Sequence, residues 1–131
     1  SIHYPLTALR FFILMPLIVT SERMYRRLFL YNAPASVSKE GFAKAGPESS
    51  VALMAMGVPL VWLRPRRVKS PVLLLASGHD YFFPERNQKK TARAYRADFI
   101  RYGDMGHNLM VEKGWEKVAE DILAWLKKRV K

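Results

Sequence analysis

The run PVLLLA at positions 71–76, closed by Ser77 and Gly78, restricts what this chain can fold into more than any other stretch. Six residues without a polar position leave no face for water, so the segment reads as a strand buried on both sides, as in a parallel sheet. Gly78, His79 and Asp80 then turn the chain. Pro84 and Glu85 open a helix that runs to about Tyr95, proline being tolerated there because its missing N–H has no intrahelical partner to lose. Residues 97–102 form a second, shorter strand, and GDMGHN at 103–108 forms a loop. Over 115–130, Trp115, Val118, Ala119, Ile122 and Leu126 recur at helical spacing, with Leu123 and Trp125 widening the stripe. Glu116, Glu120 and Asp121 lie in the first half of that helix and Lys127, Lys128 and Arg129 near its end, which suits the helix dipole.

Strand, helix, strand, helix is a βαβα unit, and the right-handed crossover rule makes its two strands parallel. Two parallel strands cannot cover themselves, because an open edge and an apolar face demand further strands. Residues 1–63 read as helices at 11–19, 22–31, 36–45 and 47–56, kept short by prolines at 5, 16, 34, 47, 59 and 65. The expectation is therefore a helical segment over 1–68 and an α/β segment over 69–131. The sheet would be completed by an N-terminal region, a companion chain or a swapped copy.

Charge separates the partner classes. The chain carries 22 Lys and Arg against 11 Asp and Glu, a formal +11, which invites a polyanionic partner. The basic residues are scattered: Arg64, Arg66, Arg67 and Lys69, then Lys89, Lys90, Arg93 and Arg96, then Lys127, Lys128, Arg129 and Lys131. No nucleic-acid-binding motif accompanies them, so no specific nucleic-acid partner is expected. With no cysteine there is neither a disulfide framework nor a thiolate metal site, which is compatible with a cytoplasmic location. The apolar run at 11–19 falls short of the roughly 20 residues needed to span a bilayer, and Pro16 interrupts it. It also lacks the flanks of a secretory signal, so no transmembrane or leader segment is expected.

Two polar residues occupy the positions where open α/β sheets build active sites, just beyond the carboxyl ends of strands. Asp80 follows the first strand and His107 the second. If those strand tips are neighbours, the carboxylate can hold the imidazole in one tautomer while the other ring nitrogen acts as a general base. An aspartate at a turn also serves as a plain helix cap, and His79 and His3 read as structural or solvated.

The string from Pro71 to Leu126, with Gly78, Asp80, Pro84, Gly106-His107 and Trp125-Leu126 as its marks, resembles the last two strands and final helix of the α/β-hydrolase superfamily. The proline-broken residues 1–68 resemble the cap inserted before those strands, particularly in lysophospholipase-like and esterase-like members. The resemblance implies an α/β fold in which parallel strands form the C-terminal part of a hydrolase sheet behind a helical cap. It assigns Asp80 as catalytic acid and His107 as base, and it implies no cofactor and no metal. The superfamily's nucleophile lies in a G-x-S-x-G elbow ahead of the cap, and this sequence has none: Ser49 and Ser50 lack flanking glycines, and Ser77 lies at a strand end, after the cap-like residues.

The expected activity is serine-dependent hydrolysis of carboxylic esters, such as lysophospholipids or other acyl esters. Phe11, Phe12 and Met15, with Leu14 and Leu17, are candidates for an acyl pocket or for ordinary core. An aspartate nucleophile in the elbow would turn the same acid and base into an epoxide hydrolase or dehalogenase. The alternative of another class is a catalytically silent α/β piece that binds a partner or its own copy through the open sheet edge. Alone, the chain is expected to turn over little or no ester.

Overall fold

The computed structural model describes residues 19–46 and 63–129. Among them the chain is mixed α/β, with four α-helices and a two-stranded parallel sheet. Helix α1 (Glu22–Phe29) is capped by the Ser21 hydroxyl, which accepts the Met24 N–H at 3.2 Å. Helix α2 (Ala35–Lys44) starts directly after Pro34. A 3-10 turn (Pro65–Arg67) leads into β1 (Leu73–Ser77), α3 (Glu85–Tyr95), β2 (Asp98–Tyr102), a second 3-10 turn (Leu109–Val111) and α4 (Trp115–Arg129). The helices expected at 11–19 and 47–56 lie outside the described residues. The others form within a residue or two of their expected bounds, the ordinary scatter of helix ends.

Strands β1 and β2 pair in parallel, with Leu73 opposite Asp98 and Ser77 opposite Tyr102. The ladder continues past both ends. Asp98 N–H reaches Val72 O at 2.9 Å, Gly78 N–H reaches Tyr102 O at 2.8 Å, and His79 N–H reaches Met105 O at 3.0 Å. The backbone is therefore still laced where the chain leaves the sheet, which fixes the two strand-end loops against each other. A β-carbon on Gly78 would lie 2.2 Å from the Gly103 carbonyl oxygen, so this close approach of two loops admits only glycine.

Tyr102, Met105 and Val118 form a buried hydrophobic cluster, with Leu75, Ile100, Leu109 and Ile122 packed against it. Tyr102 carries its hydroxyl out of that cluster to donate to Asp121 Oδ2 at 3.0 Å. Burial first, and that carboxylate second, push its phenol up to about 12. The far end of α4 is held differently. Trp125 Nε1–H and the Arg129 guanidinium both donate to Asp98 Oδ2, at 2.6 and 2.5 Å. The Trp125 hydrogen bond, aided by the Arg129 charge, holds the Asp98 carboxyl below the usual carboxylate range against the opposing effect of desolvation.

Two expectations about burial need correcting. Leu73, Leu74 and Leu75 are only half-buried, and full burial in β1 is confined to Ala76 and Ser77, because among the described residues β1 has a partner strand on one side only. On α4, Val118 and Ile122 reach the core, but Trp115, Leu123 and Leu126 are 47%, 52% and 43% exposed. Strands lie about 4.8 Å apart while a helix with its side chains is about 10 Å across, so a two-stranded sheet is too narrow to cover the whole stripe. Trp125 turns to Asp98 rather than widening the core-facing side. Among the described residues no helix is long and apolar enough to cross a membrane.

Candidate active site

Asp80 and His107 meet. His107 Nδ1 lies 3.0 Å from Asp80 Oδ2, across the tips of the two adjacent parallel strands. The other carboxylate oxygen is already committed: Asp80 Oδ1 accepts the N–H groups of Phe82 and Phe83 at 2.9 and 3.0 Å. A side-chain oxygen bonded to amides two and three residues on is a local turn device, and it aims the carboxylate before any distant contact forms. Since the carboxylate accepts, Nδ1 is the donor, and Nε2 is left as the nitrogen able to take up a proton. The Asp80 side chain is 9% exposed and that of His107 30%, so the acid is enclosed while the base keeps an open side.

Three phenyl rings surround the imidazole. Phe82 stands edge-on at 5.0 Å between centroids, with Phe83 at 5.9 Å and Phe29 at 6.0 Å. They restrict the ring to the orientation its Nδ1 bond requires and keep water from much of its surface. On the open side lies a cavity of about 350 Å³, bordered by Ser77, Asp80, Gln88, His107, Leu75 and Leu109. The Gln88 amide is buried in its wall and donates to Ser77 O at 3.1 Å and Phe83 O at 2.5 Å, pinning α3 to the end of β1. Ser77 is 3% exposed, and its hydroxyl has no hydrogen-bond partner among the described residues.

A residue that sequence reasoning missed holds the histidine loop in place. Glu112, 1% exposed, accepts three backbone N–H groups: Tyr31 at 2.5 Å, Asn32 at 2.7 Å and Gly106 at 3.0 Å. It ties the segment after α1 to the residue just before His107. A β-carbon on Gly106 would stand 2.7 Å from Glu112 Oε1 and 2.7 Å from the Leu30 carbonyl carbon, so this glycine exists to let the carboxylate and the α1 segment close in. Asn32 adds to the clasp, donating to Asp104 O at 2.6 Å and accepting Lys113 N–H at 2.8 Å. Asn108 N–H, on the other side of the histidine, donates to Phe29 O at 2.9 Å. The signal in the sequence was a carboxylate directly after the apolar Leu109, Met110 and Val111, where a charge must find partners or solvent.

His79 stacks on Tyr31, with ring centroids 3.5 Å apart and planes within 5°, and takes no part in the Asp80 contact. Phe11, Phe12 and Met15, the candidate acyl-pocket residues, lie outside the described residues. Among the described residues no group of three or more His, Cys, Asp or Glu side chains is placed to hold a metal ion. Chemically, the arrangement can present one oriented, aromatic-shielded base to whatever enters the cavity. Comparison with known proteins finds no matching family model, and no significant match among curated proteins or solved structures.

Proposed function

We propose that this chain is the cap and C-terminal core segment of an α/β-hydrolase. In this reading Asp80 and His107 serve as acid and base in serine-dependent hydrolysis of carboxylic esters, single-chain acyl lipids among them. The observation that carries it is the 3.0 Å contact between His107 Nδ1 and Asp80 Oδ2 at adjacent strand tips. A serine presented at the cavity beside His107 gives its proton to Nε2 as its oxygen attacks the acyl carbon. The histidine then passes that proton to the departing alkoxide, and a water molecule repeats the sequence to release the acid. Asp80 keeps Nδ1 protonated throughout and stabilises the imidazolium.

The nucleophile and the oxyanion donors belong, in this reading, to a segment carrying a G-x-S-x-G elbow that adds to the edge of β1 left without a partner strand among the described residues. Half-buried Leu73, Leu74 and Leu75 support that placement. In protein purified from its source, intact mass should reveal a longer chain or a companion with such an elbow, its serine reactive toward a fluorophosphonate. His107→Ala should then slow hydrolysis of a short p-nitrophenyl ester by about a thousandfold or more. A rate indifferent to that substitution would remove the assignment. The same open edge favours a second reading, a silent module that pairs with its own copy; it predicts a dimer by light scattering and no probe-reactive serine in any partner.

A further inference from the structure

Helix α1 brings three arginines to one concavity. Arg23, Arg26 and Arg27 border an open cavity of about 780 Å³ together with Tyr31, His79 and Asp80. Like charges spaced three and four residues apart on a helix repel one another. Among the described residues none of the three is in an ion pair. Arg26 is fixed by donating to Ala33 O at 2.8 Å, whereas Arg23 and Arg27 are exposed. Two carboxylates share the lining, Glu22 and Asp80. Asp80 is occupied by His107 and two backbone amides, which leaves Glu22 as the one carboxylate there without a hydrogen bond from a described residue. The stacked Tyr31 and His79 rings make a flat wall at the rim.

A concave surface lined by cations focuses a positive potential, and arginine forks match phosphate oxygens in pairs. Two exposed arginines with a third fixed beside them suit a phosphate, which carries close to two charges at neutral pH, better than a single carboxylate. Asp80 borders this cavity and the one beside His107, so a group held by the arginines lies next to the acid–base pair. We propose that the arginine cavity binds a phosphate carried by the substrate, making phosphate-bearing acyl esters the preferred substrate class. The substrate part of this rests on the hydrolase reading of Asp80 and His107.

The test is binding, with probes that cannot be hydrolysed: the hexyl ether of glycerol phosphate, the neutral hexyl ether of glycerol, and inorganic phosphate. Titration followed by the imidazole NMR signals should show the ether phosphate moving the His79 resonances and binding tightest of the three. Arg23→Gln with Arg27→Gln should weaken it by about tenfold or more. These side chains are exposed, so circular dichroism should report an unchanged fold. Equal affinity for the neutral ether, equal affinity for inorganic phosphate, or indifference to the arginine changes would each overturn the proposal. His107→Ala should abolish hydrolysis in the nucleophile-bearing protein yet keep the ether phosphate affinity. Failed phosphate binding beside His107-dependent hydrolysis sinks this inference alone, whereas intact binding beside His107-independent hydrolysis sinks the hydrolase reading and the substrate assignment with it.

Discussion

The strand tips and the outer flank of this molecule are built to different standards. At the tips, each oxygen of Asp80 and of Glu112 has a partner, Gln88 bridges two carbonyls, and the backbone ladder runs on past the strands. On the flank, β1 has an open edge among the described residues, and α4 turns Trp115, Leu123 and Leu126 outward. Polar geometry at the tips is satisfied by loop contacts, local for Asp80 and reaching 81 residues along the chain for Glu112, whereas apolar burial on the flank depends on how wide the sheet becomes. A half-site can thus have both its carboxylates fully hydrogen-bonded while the sheet beneath it is narrow.

The sharpest way to break this contrast is Glu112→Ala. It strands three backbone N–H groups, that of Gly106 buried and those of Tyr31 and Asn32 half-buried, and should cost about 3 kcal/mol or more in urea denaturation, with the His107 signal broadened. A cost under about 1 kcal/mol would mean that the loop is not held by this carboxylate.

Tyr102 offers an intermediate effect. Its folded-state value near 12 lies above the ordinary 10.0, so its contribution is fully present below pH 10 and is lost as pH rises towards 12. Tyrosine absorbance should show one late-titrating phenol that disappears in Tyr102→Phe, a change costing about 1 kcal/mol. The smallest effects belong to the flank. Leu123→Lys and Leu126→Lys should each shift stability by no more than about 0.5 kcal/mol, and a larger loss by denaturant titration would show that this face is covered in solution.

Much of the fold was legible in the sequence for specific reasons. The apolar run at 71–76, Pro84 and the 115–130 periodicity mark elements through local chemistry, and the elements formed where that chemistry put them. Asp80 and His107 were legible as a pair because parallel strands in sequence order bring their carboxyl ends together. Glu112 was not, since a glutamate in a loop reads as solvated until a segment 81 residues away closes over it. The arginine cavity escaped notice for a related reason: Arg23, Arg26 and Arg27 look like an ordinary solvated helix face until His79 and Asp80 are folded against them. The burial of β1 and α4 was overestimated because periodicity states which side seeks cover, not how much cover exists.

The reach of Glu112 also bears on the order of assembly. Its bonds to Tyr31 and Asn32 span 81 and 80 residues, whereas β1, α3 and β2 are near neighbours in the chain. Closing so long a loop carries an entropic cost that adjacent elements avoid. Newly made chains would therefore raise the two strands first and acquire a correctly seated imidazole only in a late, separate event.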